Sequence, residues 1–164
     1  MILRGPCWRV LLVVVAFDLA DAATIDWEAR SEVYFSSQAR TDQIIAAIRG
    51  STCEDAVFTV AIRSGSKNVF NRSIPLRDIV HCEERGGEEF RQSSISIVNS
   101  AIAPVSASDR SCGPPPGCWE APTFKEMQRA NVPLVCFPTG PENSVCVAFV
   151  PEGQRVVEVW RYDE

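Results

Sequence analysis

The chain has 164 residues, with 16 basic against 21 acidic side chains and a net charge of −5. This balance argues against nucleic acid or an anionic membrane surface as a partner, because both are bound by clusters of basic residues. With 46% hydrophobic residues, the composition and length suit one domain with a single core.

The first 22 residues have the three parts of a secretory signal peptide. Arg4 and Arg9 give a positive start, residues 10–17 form an apolar run, and Ala22 closes a small-x-small cleavage motif. The apolar run is about half of the ~20 residues needed to cross a bilayer, which disfavours a membrane anchor. We therefore expect cleavage at Ala22 and a secreted, extracellular domain over 23–164, without membrane insertion.

Six cysteines remain after the leader, and an even number in an oxidising compartment predicts three disulfides with no free thiol. Many connectivities are open to six cysteines, but their spacing favours three local bridges: Cys53–Cys82, Cys112–Cys118 and Cys136–Cys146. The loop-entropy model gives about 3.5 kcal/mol for the longest loop and about 2.5 kcal/mol for each short one. A zinc site is disfavoured, because the closest cysteines are spaced C-x₅-C and the chain has one histidine.

In chain order, residues 24–35 fit either a strand or a helix. Residues 41–50 are predicted as a two-turn helix, because a threonine suits the N-cap, isoleucines share one face and a glycine suits the C′ position. Residues 56–63 and Val69–Ile74 are predicted as a β-hairpin. The first strand of this hairpin is expected to be central in its sheet, since both of its faces are largely apolar.

The second half is expected to contain a further hairpin, a loop, a helix and a meander. Arg77–Cys82 and Phe90–Val98 are predicted to pair as strands, and the proline-rich residues 103–118 to form an ordered loop. Thr123 opens a T-x-x-E capping box, which predicts a helix over 122–131. Three strands of an antiparallel meander then close the chain: Leu134–Phe137, Ser144–Val150 and Arg155–Tyr162.

These elements predict a mainly β fold, a disulfide-tied antiparallel β-sandwich or half-barrel with two short helices. An α+β fold with the helices on one face of an antiparallel sheet is the alternative. Asn71 begins the chain's single N-glycosylation sequon and is the predicted glycosylation site. A sugar at Asn71 would require its strand face to be exposed, with Phe70 and Ile74 facing inward.

Signs of catalysis are weak. His81 is the single histidine and the best candidate for proton transfer at neutral pH. Its neighbour Cys82 is expected to be oxidised, and no G-x-S-x-G motif is present. Four glutamates between 83 and 89 lie around a Gly-Gly turn, where carboxylates should be solvated and where no calcium-loop spacing occurs. We predict neither an enzyme nor a bound metal or cofactor.

The loop bridged by Cys112 and Cys118 is the most suggestive feature for binding. Prolines in a small ring lose little entropy on docking, and large aromatic side chains anchor interfaces. These properties select five partner-binding candidates: Pro114, Pro115, Pro116, Trp119 and Phe124. The simpler alternative is a structural corner in which Trp119 only covers the disulfide.

The sequence therefore favours a non-catalytic domain that binds another extracellular or cell-surface protein, as a receptor ligand, decoy, immune modulator or complex subunit. A secreted protease inhibitor that presents the 112–118 loop is the second hypothesis. A small secreted hydrolase that uses His81 or a buried glutamate is the third. Neither the partner nor the oligomeric state follows from the sequence.

Overall fold

A computed structural model describes residues 25–37, 39–82, 87–112 and 117–163. The fold is mainly β, with 47% strand against 24% helix, in two antiparallel sheets of which one is a half-barrel. The predicted fold class is confirmed. Several predicted features lie outside the described residues: the signal peptide with Ala22, Glu83, Glu84, Pro114, Pro115 and Pro116.

The first sheet is a meander of four antiparallel strands that follow one another in chain order. Its turn between the third and fourth strands uses Gly65 at a φ of 60°, a conformation that suits glycine. The sheet has two central strands, and their inward side chains are fully covered. The strands are β1 (Ile25–Val33), β2 (Asp42–Gly50), β3 (Val57–Ser64) and β4 (Lys67–Pro75).

The second sheet has five strands in the order β5-β7-β8-β9-β6. Its last three strands in the chain match the predicted meander, which is confirmed. The short strand β6 comes before them in sequence but pairs with β9 at the sheet's edge. The strands are β5 (Val105–Ser106), β6 (Cys118–Glu120), β7 (Pro133–Pro138), β8 (Ser144–Val150) and β9 (Arg155–Tyr162).

Two α-helices occur in the described part of the chain, α1 (Gly87–Ile102) and α2 (Phe124–Arg129). Helix α1 packs against β1, β2 and β7, and therefore against both sheets. Helix α2 covers the opposite face of the second sheet through the fully buried ring of Phe124. None of the helices in the described residues is long and apolar enough to span a membrane.

The two faces of the second sheet belong to two different cores. The larger core joins both sheets and α1, and includes Phe58 and Ile62 from β3 with Phe137 and Val145 from the second sheet. The smaller core lies on the other face, where Phe124, Leu134, Cys136, Cys146 and Trp160 pack together. Neighbouring residues of β7 and β8 thus alternate between the two cores, as the strand period requires. In β9 the pairing with β8 shifts register, and the consecutive residues Val159 and Trp160 both face the smaller core.

Residues 42–50 form strand β2, so the helix predicted over 41–50 is wrong. A central strand that is apolar on both faces has hydrophobic residues at the same spacings as one face of a helix. In β2, Ile44 and Ile48 face the larger core, whereas Ile45 lies on the opposite face. Gly50 is the last residue of the strand, and only glycine fits there because an added Cβ would lie 2.4 Å from Cα of Ala56. Residues 24–35 fit either a strand or a helix by sequence, and in the structure Ile25–Val33 form strand β1.

The predicted second hairpin is also wrong, because residues 90–98 belong to helix α1. Phe90, Val98 and Ile102 meet the larger core at helical spacing, and Glu88 and Glu89 occupy the first turn, where acidic groups favour a helix N-terminus. A 3₁₀ turn over Leu76–Asp78 lies where the strand predicted over Arg77–Cys82 would begin.

The second helix forms where predicted but ends at Arg129 and is not opened by a capping box. The Thr123 side chain makes no capping hydrogen bond, and its backbone is already helical. Instead, the backbone N–H of Phe124 donates to the carbonyl of Ala121 at 2.9 Å. Asn131 then leaves the helix at a φ of 54°, a left-handed conformation that asparagine tolerates.

All three predicted disulfides are present with the predicted pairing: Cys53–Cys82, Cys112–Cys118 and Cys136–Cys146. Cys136 and Cys146 are direct cross-strand partners in β7 and β8, with their Cα atoms 4.0 Å apart. Three disulfides in a domain of this size are consistent with an extracellular location.

Candidate binding surface

Three large hydrophobic side chains are exposed in the described part of the chain. They are Tyr34 at 53%, Val57 at 38% and Trp119 at 46% exposure. Tyr34 and Val57 lie in or beside the first sheet, whereas Trp119 lies in β6 directly after Cys118. Of these three, Trp119 alone is both aromatic and a direct neighbour of a disulfide.

The backbone of Trp119 is held on both sides. Cys118 is bridged to Cys112, and the carboxylate Oε1 of Glu120 accepts a hydrogen bond from the backbone N–H of Cys112 at 3.0 Å. The N–H of Asp163 also donates to the carbonyl of Gly117, beyond the end of β9. A strand of three residues therefore has a fixed position despite its short ladder.

The Trp119 side chain begins a row that runs from solvent into the larger core. In the sheet register, Trp119 pairs with Arg161, Arg161 with Val145, and Val145 with Phe137. The guanidinium Cζ of Arg161 lies 5.9 Å from the centre of a Trp119 ring. Val145 and Phe137 are 1% and 2% exposed, so the row passes from an exposed tryptophan to the core within four strands.

Charged side chains continue this row toward the first sheet. Arg161 Nε donates to Glu158 Oε1 at 2.7 Å, and a second nitrogen of Arg161 lies 3.8 Å from Asp163. Glu158 Oε2 also lies 3.9 Å from Arg72 on β4, and Arg72 lies 5.9 Å above the Phe137 ring. We call the group Trp119, Arg161, Glu158 and Arg72 the Trp119 surface.

The two arginines of the Trp119 surface are balanced by carboxylates once Asp163, which lies 3.8 Å from Arg161, is counted with Glu158. Its two guanidinium groups face Glu158, and their side chains are 46% and 44% exposed against 24% for Glu158. Each exposed ion pair contributes at most about 1 kcal/mol, and each cation–π contact about 0.5–1 kcal/mol. Their effect is to hold the flat faces of the side chains in place rather than to attract a charged ligand.

Phe124 does not belong to this surface, and its prediction as a partner anchor is wrong. Its ring is fully buried against Leu134 and Trp160, where it joins α2 to the second sheet. The prediction failed because an aromatic residue near a disulfide has the same local pattern whether it faces solvent or the core. The packing of Phe124 against Leu134 and Trp160 of the second sheet gives its direction, and the local sequence does not contain these contacts.

The remaining predicted groups do not converge with Trp119. His81 is exposed beside Cys82. Glu88 accepts a hydrogen bond from Gln92 on the surface of α1. The described residues contain no group of three or more histidine, cysteine or acidic side chains placed to hold a metal ion.

Asn71 lies on the exposed face of β4, and Ile74 and Phe70 contact the larger core. These orientations are those that a sugar at Asn71 would require. The Ser73 hydroxyl lies 3.1 Å from that of Thr59 on β3. Glycosylation of Asn71 itself stays a prediction.

Sequence reasoning found Trp119 but missed Arg161, Glu158 and Arg72. These three residues are distant from Trp119 in the chain and lie in two different sheets. Glu158 and Arg161 are three residues apart, so a regular strand would place them on opposite faces of the sheet. The bulge in the pairing of β9 with β8 places them on the same face, and the sequence alone does not reveal it.

No protein-family model, no curated protein and no solved structure matches the chain.

Proposed function

We propose that this chain is a secreted, non-catalytic domain that binds another extracellular or cell-surface protein through the Trp119 surface. One observation carries the proposal. Trp119 is 46% exposed, yet its backbone is fixed by a disulfide on one side and by the Glu120–Cys112 hydrogen bond on the other.

Preorganisation is the physical reason why this arrangement favours binding. Tryptophan and arginine are the residue types that most often dominate the binding energy of interfaces. A side chain that is already immobilised loses less entropy on association, since about 0.5–1.5 kcal/mol is otherwise spent on each flexible group. Here Arg161 is held by Glu158 and Asp163 and in turn lies against Trp119.

The chemistry of the Trp119 surface indicates the kind of partner. Its two arginines lie beside two carboxylates, Glu158 within the surface and Asp163 next to it, so a polyanion gains little from it. An exposed aromatic ring with the Arg161 guanidinium 5.9 Å from its centre suits an apolar or proline-containing segment of a protein, with polar contacts at the rim. A protein partner is therefore proposed over nucleic acid or a lipid surface.

The compartment is part of the same proposal. The leader over 1–22 directs the chain out of the cell, oxidation there forms the three disulfides, and Asn71 carries an N-linked glycan on β4. The exposed position of Asn71 supports the glycan, and the disulfides support the compartment. Treatment with an N-glycosidase should reduce the mass of the wild type and leave N71Q unchanged.

The test is a binding titration with two matched variants. Labelled wild type, W119A and Y34A are titrated onto surfaces of cells that the protein meets after secretion and onto purified extracellular proteins. We expect saturable binding that W119A weakens by about 30-fold, the effect of losing an anchor of about 2 kcal/mol. Y34A removes an aromatic side chain of similar exposure and should stay within about twofold of wild type.

Both variants must retain the wild-type circular dichroism spectrum and three disulfides, so that a loss of binding reports on the surface and not on the fold. Binding of W119A at wild-type affinity would contradict the assignment of the Trp119 surface. Absence of saturable binding on every surface tested would contradict the proposed function itself.

A further inference from the structure

The first sheet has an outer face, which points away from the larger core. On this face Ile45 and Ala47 of β2 and Ala61 of β3 are only 9%, 7% and 8% exposed, yet among the described residues they join neither core. Val57 of β3 lies on the same face and is 38% exposed, so solvent reaches it. The solvated face of an antiparallel sheet is usually polar, and this one has an apolar floor at its centre.

Asn71, the predicted glycosylation site, lies at one end of this floor. The register pairs Asn71 with Ala61, Ala61 with Ile45, and Ile45 with Arg30 of β1. Directly paired residues place their side chains on the same face, and neighbouring strands lie about 4.8 Å apart. The row from Asn71 to Arg30 therefore crosses the whole sheet over about 14 Å, with an alanine and an isoleucine between its polar ends.

We infer that the glycan on Asn71 lies along this row, with its first sugar packed over Ala61 and the chain of sugars directed toward Ile45. The inference rests on the proposed glycosylation of Asn71 and adds the surface that the sugar covers. Attachment selects this occupant, because a tethered group meets the adjacent surface at a millimolar effective concentration. A weak contact is therefore enough to hold the sugar on the sheet.

The chemistry of the sugar matches that of the row. The carbon–hydrogen face and the acetyl methyl group of N-acetylglucosamine are apolar and gain from covering Ala61 and Ile45. The alanine methyl group projects little from the sheet, so a sugar ring can approach the backbone closely. At the far end of the row, Arg30 and Glu28 lie 2.5 Å apart and offer charged partners to the hydroxyl groups of the outer sugars.

Alternation along β4 keeps the glycan away from the Trp119 surface. Arg72 belongs to that surface and lies 5.9 Å above the Phe137 ring. Phe70 and Ile74, two residues to either side of Arg72, contact the larger core. Asn71 lies between Phe70 and Arg72 and so points to the other face of the strand. The glycan therefore covers the outer face of the first sheet and leaves the proposed partner surface free.

The direct test is NMR of the secreted, disulfide-bonded protein with ¹³C-labelled alanine methyl groups, after an endoglycosidase has trimmed the glycan to its first sugar. We expect nuclear Overhauser effects between the sugar protons and the methyl group of Ala61. Ala46 is the internal control, because it faces the larger core at 0% exposure and should show none. A sugar on Asn71 without contact to Ala61 would overturn the inference, and so would a secreted protein whose mass shows no sugar.

A double-variant cycle gives a second measurement. The glycosylated protein should melt about 3 °C above N71Q. A61K places a long side chain where the sugar lies and should remove most of this difference, whereas Q43K adds the same side chain to the same face outside the row and should preserve it. An equal effect of A61K with and without the glycan would contradict the contact. Partner binding is measured separately with W119A, so this inference and the proposed function can fail independently.

Discussion

Trp119 and Trp160 lie in the paired strands β6 and β9, and each lies beneath an arginine. The Cζ of Arg161 is 5.9 Å from a Trp119 ring, and the Cζ of Arg110 is 5.3 Å from a Trp160 ring. Yet Trp119 is 46% exposed and Trp160 only 6%. The two residues share chemistry and neighbourhood, and they differ only in the face of the sheet that they occupy.

The register of β6 against β9 makes this difference. Glu120 pairs with Trp160, and Trp119 with Arg161, so the tryptophans point to opposite sides. Trp160 faces the smaller core beside Phe124 and Cys146, where helix α2 covers it. Trp119 lies on the other face of the second sheet. The first sheet covers that face at Val145 and Phe137 but leaves Trp119 exposed. One tryptophan is therefore buried in a core, and the other is exposed, as the proposed binding surface requires.

The largest expected effect is a difference in the free energy of unfolding between variants of the two tryptophans. W160A removes a nearly fully buried ring from the smaller core and should lower the free energy of unfolding by about 3–5 kcal/mol. W119A loses an exposed ring and one cation–π contact, a cost of about 1 kcal/mol or less. Urea denaturation of both variants measures the contrast, and equal losses would contradict the assignment of roles.

A second prediction concerns the disulfide beside Trp119. C112S/C118S should lower stability by about 2–2.5 kcal/mol, from loop entropy alone, and should reduce partner binding because β6 then has one anchor fewer. C136S/C146S removes a bridge that also closes a short loop but lies in the smaller core, where the two cysteines are 9% and 0% exposed. This control should destabilise at least as strongly while the remaining folded protein keeps its binding affinity.

The smallest effect should arise far from both tryptophans, at the turn that holds Cys53. Asp55 accepts hydrogen bonds from the backbone N–H groups of Thr52 and Ser51, and the bonds to Thr52 lower its pKa below 3.8. A folded-state pKa below the unfolded one gives stability that is present above about pH 4 and is lost as pH falls through the folded value.

Thermal unfolding between pH 7 and pH 3 checks this sign. Wild type should lose melting temperature on acidification, and D55N should begin lower at pH 7 and show a shallower dependence on pH. A D55N profile parallel to that of wild type would show that Asp55 does not contribute. Tryptophan emission of the folded protein should stay constant over the same range.

The sequence was most informative where cysteines and turns dominate. Local cysteine spacing predicted all three bridges, and turn residues separated the closing strands correctly. It failed where both faces of an element are apolar, since β2 was predicted as a helix. It also failed for α1, because Ile95, Ile97 and Val98 favour a strand locally, whereas contacts with both sheets select the helix.

For the Trp119 surface, too, the sequence predicted what depends on local signals and missed what depends on pairings between distant strands. Trp119 was predicted from its position after Cys118, a purely local signal. The direction of Phe124 and the contribution of Arg72 depend on pairings between distant strands, which a single sequence does not contain. Long-range register, rather than residue type, decides which aromatic side chains remain exposed.

Photo-crosslinking tests the central claim most directly. A benzophenone amino acid replaces Trp119 in one variant and Tyr34 in another, and both proteins are irradiated on the cell surfaces that bind the wild type. We expect one crosslinked partner band from position 119, competed by excess wild-type protein, and none from position 34. Crosslinking from position 34 with none from position 119 would contradict it.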